Sequence, residues 1–143
     1  MAQDTTEREE DNQYRFQYAA RFLCTANIPG TSQTTPSVLP GNYQTTISIH
    51  NPHDQRVQFR KKIAVSSQVS EFIEDQLGPD QSTDVTCDSI VRDFGPFIHG
   101  AEGFMVIEST HSLDVIAIFT AAKIGAQVDS IAVKQIRERR LRE

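Results

Sequence analysis

The sequence predicts an all-β fold: a single antiparallel β-sandwich, immunoglobulin-like or jelly-roll, of about seven or eight strands. Three observations lead there. Apolar and polar residues alternate with a period of two over most of the chain, the repeat of a strand with one covered face. The alternating runs are short and are separated by Pro, Gly, Asn and Asp, the residues that make turns. The 143 residues suit one domain, and 38% apolar against 23% charged residues suffice for a core without metal or disulfide staples.

The first strand runs from Tyr14 to Cys24, with Tyr14, Phe16, Tyr18, Ala20, Phe22 and Cys24 on one face and Arg15, Gln17 and Arg21 on the other. Pro29-Gly30, Pro36 and Pro40-Gly41 punctuate a Thr/Ser-rich loop. A second strand carries Tyr43, Thr45, Ile47 and Ile49 on its covered face, and Asn51-Pro52-His53-Asp54-Gln55 then makes a turn. Val57, Phe59, Ile63 and Val65 form a third strand, interrupted by Lys61; a bulge or a strand end there would keep the charge out of the core. Residues 69–77 mix both parities, Gly78-Pro79-Asp80-Gln81 turns the chain, and Thr83, Val85 and Cys87 alternate again. A short helix is expected near 88–94, with Asp88 as its N-cap and Gly95 after its end. Phe104–Ile107 and Leu113–Phe119 read as central strands joined in a hairpin, and Val128–Ile136 as the last strand. The expected core is Phe16, Phe22, Ile47, Ile49, Phe59, Val106, Val115 and Ile118.

Several segments resemble a family of small, mostly uncharacterised bacterial β-sandwich proteins: YAARF from Tyr18, LPGNY from Leu39, IHNP from Ile49, FRKK from Phe59, LGPD from Leu77, GFMVIES from Gly103 and LDVIAIFTA from Leu113. They cover most of residues 14–136. The resemblance implies a sandwich in which the strand ending in His-Asn-Pro precedes a second strand and the late VIES/LDV hairpin closes the sheet. It carries with it no assigned enzymatic activity.

Charge divides the chain into an acidic N-terminal arm, residues 1–13, a domain, residues 14–136, and a basic C-terminal tail or short frayed helix, residues 137–143. The arm holds Asp4, Glu7, Glu9, Glu10 and Asp11 against Arg8, and the far end holds Arg137, Arg139, Arg140 and Arg142 beside Lys134. The arm is almost without apolar residues and has no means of folding by itself. The formal net charge of −5 argues against binding the nucleic-acid backbone. No apolar run is long enough to insert in a membrane and no secretory signal is present, so a cytoplasmic location is the default and non-classical export the alternative.

Catalytic, cofactor and metal chemistry find no constellation. His50, His53 and Asp54 have chelating types but span a strand end and a turn, and His99 and His111 lie in other loops, so no metal is expected. Glu71, Glu74 and Asp75 cluster, and Glu102 and Glu108 flank the Phe104 strand, yet such carboxylates usually form a solvated face. Arg60-Lys61-Lys62 reads as a gatekeeper on an edge strand. Cys24 and Cys87 fall on apolar faces; they are expected buried and reduced, with a disulfide between them as the alternative.

The functional expectation is a non-enzymatic structural protein: a self-assembling sandwich subunit of a homo-oligomer or filament, its arm docking on a neighbour by strand exchange, with the arm carboxylates against the C-terminal arginines. The chain's partner is then itself, head-to-tail, with no nucleic acid, no cofactor and no membrane insertion. The alternative is a monomeric carbohydrate-binding or adhesive module using loops 27–42 and 108–112, although the chain has no Trp and only three Tyr to make sugar platforms.

Overall fold

A computed structural model describes residues 13–141 apart from 32, 36, 98, 99 and 124–126. Its described elements are β1 (Phe16–Asn27), β2 (Gly41–His50), β3 (Val57–Val65), β4 (Gln68–Val69), β5 (Ile73–Leu77), β6 (Ser82–Val85), α1 (Cys87–Phe94), β7 (Ala101–Ser109), β8 (Asp114–Ala122), β9 (Val128–Gln135) and β10 (Arg139–Arg140). Every pairing is antiparallel. One sheet runs β10-β1-β7-β3, with β4 and β5 on the outer side of β3. The other runs β9-β8-β2, and the far side of β2 pairs first with the end of β1 and then with β6. β1 thus belongs to both sheets: through Cys24 it pairs with β7, and Thr25–Asn27 pair with β2.

The period-two pattern of β1 and β2 places the core as the sequence implies. Tyr18, Ala20 and Phe22 face Ile47, Ile49, Val115 and Ala117 across the interior, and Val57 and Phe59 join them from β3. Among the expected core residues, Phe22, Ile47, Ile49, Phe59 and Val115 are buried, whereas Phe16, Val106 and Ile118 are only half-buried. The β7 parity is the reverse of expectation. Its register sets Ile107 opposite Tyr18 and Met105 opposite Ala20, so those two turn inward and Val106 outward. A central strand apolar on both parities leaves this choice to its neighbours. Gly103 has no side chain because β3 approaches too closely: a Cβ would run into the carbonyl of Ala64.

Two connections differ from expectation. β7 and β8 form no hairpin; β7 pairs with β1 and β3, β8 with β2 and β9, and residues 110–113 carry the chain from one sheet to the other. A loop of that length serves a hairpin or an arch equally, and the strands' patterns do not name their partners. β3 is no edge strand either, since β7 lies on one side and β4 and β5 on the other. Lys61 stays in its ladder without a bulge and is buried, its Nζ 3.9 Å from the Asp93 carboxylate of α1. The long aliphatic stem fills core space while the amine reaches the helix. Arg60-Lys61-Lys62 is therefore not an edge gatekeeper.

α1 begins one residue earlier than expected, and its cap is Thr86 rather than Asp88. Thr86 Oγ1 accepts the Ser89 N–H at 3.2 Å while Ser89 Oγ accepts the Thr86 N–H at 2.7 Å, a reciprocal capping box. Ile90 enters the core, and Cys87 forms a disulfide with Cys24 of β1; both are half-buried, where buried and reduced thiols were expected. Cys24 and Cys87 lie 63 residues apart in sequence, and only the fold brings the two sulfurs together.

Candidate functional site

The chain beyond β9 does not leave the body as a tail. Ile136 is buried, and Arg139 and Arg140 form β10 on the edge of β1 opposite β7. Arg139 Nη2 donates to Gln17 Oε1 at 2.6 Å, the Arg140 guanidinium lies 5.6 Å from the Phe16 ring centre, and the Leu141 N–H donates to the Arg15 carbonyl at 2.7 Å. Tyr18 anchors the crossing. Its hydroxyl donates to Glu138 Oε1 at 2.9 Å and accepts the Leu113 N–H at 2.7 Å, and burial holds its phenol well above the ordinary range.

This crossing leaves a groove of about 640 Å³ between β1 and the end of β9. Ala19, Phe104, Phe119 and Ile136 supply its apolar lining, and Arg21, Lys134, Arg137 and Arg139 its cations, with Glu138 the one carboxylate. Arg21 is paired with Glu102 at 3.3 Å, but Lys134 and Arg137 have no ion-pair partner among the described residues. The groove therefore carries net positive charge over an apolar floor. On one side stands β9, all of whose residues are exposed; Ile131 and Val133 are 65% and 66% exposed. β9 pairs with β8 alone among the described residues, so its other edge is open. Of the expected assembly residues, Arg137 and Arg139 line the groove and Arg140 lies over β1. Asp4, Glu7, Glu9, Glu10, Asp11 and Arg142 lie outside the described residues.

The other candidates resolve into structural roles. Glu108 is buried, and its Oε1 accepts Arg60 Nε at 3.0 Å and Nη2 at 2.6 Å. The same guanidinium lies between the rings of Tyr14 and Phe72, 4.2 and 4.1 Å from their centres. Glu102 takes Arg21, Thr35 Oγ1 and Ser37 Oγ, tying the β1–β2 loop to the sheet. Glu102 and Glu108 sit six residues apart on one strand face, roughly 20 Å, far beyond the spacing of a glycosidase pair. Glu71, Glu74 and Asp75 are exposed.

At the pole where β2 ends, His50 lies between two carboxylates, Nδ1 2.8 Å from Asp114 Oδ2 and Nε2 2.7 Å from Asp80 Oδ1. A ring nitrogen donates to a carboxylate only when it carries hydrogen, so both contacts together require the imidazolium. The hydrogen bonds to Asp114 and then Asp80 raise the histidine pKa accordingly. His53 Nε2 lies 2.8 Å from the Ser112 carbonyl and its ring 5.8 Å from that of His111. No three His, Cys, Asp or Glu among the described residues converge as a metal-binding group; His99 lies outside them. Fully buried Asn51 organises this pole. Its Nδ2 donates to the carbonyls of Gln55, Leu77 and Gly78, and its Oδ1 accepts the His53 N–H. Asn51 holds the turn, as its place in Asn51-Pro52-His53-Asp54-Gln55 leads one to expect, but its bonds to Leu77 and Gly78 reach too far along the chain to be read from the sequence. The loops at 27–42 and 108–112 fall at opposite ends of the sandwich, so they do not share one recognition surface.

Neither the family models nor the curated proteins give a match. Among solved structures, the crystal structure of Thermotoga maritima 1070 is similar, with a TM-score of 0.58 at 10% identity, covering 87% of this chain and 93% of that one. A likeness at that identity shows a shared fold.

Proposed function

We propose that this chain is a non-enzymatic structural subunit of the small bacterial β-sandwich kind its motifs resemble. It assembles head-to-tail with copies of itself into a homo-oligomer or filament, the acidic arm of each copy docking on a neighbour. The observation that carries this reading is the groove between β1 and β9, where Lys134 and Arg137, beside Glu138, have no ion-pair partner among the described residues over an apolar floor. Its complement is the arm's own sequence, with Asp4, Glu7, Glu9, Glu10 and Asp11 against Arg8. The edge of β9 that has no partner among the described residues, with Ile131 and Val133 exposed, adds apolar surface that association would cover.

The described chain begins at Gln13, beside the start of β1. Gln13 and Tyr14 line a depression with Gln58, Glu74, Asp75 and Gln76, toward β3 and β5. β10 stands between that point and the groove, with Leu141 bonded to Arg15. A contact between two different patches is heterologous, giving rings if the rotation closes and filaments if it does not. Size-exclusion chromatography with light scattering tests the reading: the full chain is expected to associate, and deletion of residues 2–12 to yield a folded monomer. A full chain that stays monomeric at every accessible concentration refutes it.

A further inference from the structure

We propose that the neighbour's arm binds by adding a strand to the open edge of β1 along Tyr18–Phe22. The inference rests on the self-association reading and specifies its chemistry: an extended acidic segment held by main-chain hydrogen bonds.

β1 has two edges. One pairs with β7 continuously from Phe16 to Cys24. The other pairs with β10 at Phe16 and Gln17, then with nothing among the described residues until β2 takes over at Thr25. Backbone groups of alternate residues in a strand point to the same edge. Two observations show which residues face the gap. At its start, the Arg15 carbonyl accepts the Leu141 N–H. At its end, Thr45 Oγ1 accepts the Leu23 N–H at 2.9 Å and donates to the Leu23 carbonyl at 3.4 Å. The Arg15 N–H still goes to Ser109 of β7, but from Gln17 onward the odd-numbered residues turn toward this edge, as Thr25 and Asn27 do in pairing with β2, and between the two closures lie Ala19 and Arg21. Their N–H and C=O groups form a short strand template that ends at β10 on one side and at Thr45 on the other. Five residues of β1 span roughly 17 Å, the reach of a five-residue segment.

The groove lies along this template, since Ala19 and Arg21 both line it. A strand added here projects alternate side chains to opposite faces. In the arm, Glu7, Glu9 and Asp11 share one parity. They would run in a row beside Arg21, Lys134 and Arg137, while main-chain bonds to Ala19 and Arg21 set the depth of the segment. The hydrogen bonds supply affinity and the charges supply register.

Ala19→Pro in the full chain is the test. Proline removes the N–H that faces the gap and spares the β7 ladder, which uses the even-numbered residues. The expected result is a folded protein, with the full chain's circular dichroism, whose self-association weakens at least tenfold. Lys134→Glu with Arg137→Glu should weaken it similarly, and Glu7→Lys with Glu9→Lys added to that variant should restore it. A folded Ala19→Pro chain that associates like the parent overturns the strand-addition proposal while leaving self-association standing. Should Ala19→Pro fail to fold, hydrogen exchange on the unaltered chain decides. The Ala19 and Arg21 amides are expected to gain at least tenfold protection on passing from dilute to assembled protein, and unchanged protection overturns the proposal. A full chain that never assembles overturns both readings.

Discussion

The two flanks of the sandwich are finished in opposite ways. On one, α1 is held by the Cys24–Cys87 disulfide to β1, by Ile90 in the core and by Asp93 beside the buried amine of Lys61. Here a cation on an inward face is absorbed, and helix, strand and covalent bond close the side. On the other, β9 ends its sheet with every residue exposed, and β1 runs past it with a stretch of edge that has no strand partner among the described residues. Proteins usually blunt such edges with bulges, proline or charge. β9 has Asp129 and Lys134, but Ile131 and Val133 lie between them. The contrast teaches that the fold has the means to seal a flank and, among the described residues, uses them on one side. Among the described residues, the edge without a strand partner and the cations without ion-pair partners coincide at the groove, which is why the proposed contact is set there.

The largest effects should come from breaking the interior that both flanks share. Phe22 is fully buried behind the unpaired edge of β1, and Phe22→Ala is expected to cost about 3–5 kcal/mol in chemical denaturation. The sealed flank comes next. Removing the disulfide as Cys24→Ser with Cys87→Ser should lower stability by roughly 2–4 kcal/mol, because a loop closed across 63 residues is released in the unfolded chain. If the double variant melts like the parent, α1 is held by packing alone. Asn51→Ala should cost about 1–3 kcal/mol, since it strands the buried Leu77 carbonyl and removes the partly buried bonds to Gln55 and Gly78.

On the open flank the expectation inverts. Ile131→Lys with Val133→Lys should change unfolding free energy by no more than about 0.5 kcal/mol, yet lower self-association in light scattering. A large stability loss there would mean that β9 is integral to the core.

The smallest effect belongs to His50. Its pKa is raised in the folded state, so its contribution is fully present below the unfolded value near 6.5 and fades as pH rises through the higher folded value. The melting temperature of the parent should therefore exceed that of His50→Gln by more at pH 5.5 than at pH 8.5. An equal difference at both would show that the two carboxylate contacts do not depend on the imidazolium.

The strands were legible because burial of one face imposes period two wherever the other face meets solvent. β1, β2 and β3 show this plainly, and their inward residues follow from parity. The pattern weakened where both faces are covered, so Val106 was read inward in place of Met105 and Ile107. Pairing partners were not legible at all. The hairpin expected across residues 110–113 is an arch between sheets, because periodicity records which face of a strand is buried and not which strand lies beside it.

The candidate site followed the same division. The basic residues at 134–140 stand out in the sequence, but their position beside an unpaired stretch of β1 arises from a crossing that packing alone creates. Similarly, Lys61 looks like a defect until α1 brings Asp93 to it, and Cys24 and Cys87 look like two small core residues until the helix docks. Taken by themselves, the residues specify an antiparallel sandwich, most of its inward side chains and the opposite charges of its two ends, since all of these depend on local alternation and composition. Which strands pair, which thiols meet and which edge is left open depend on contacts between segments far apart in the chain, and only the assembled sheets bring those segments together.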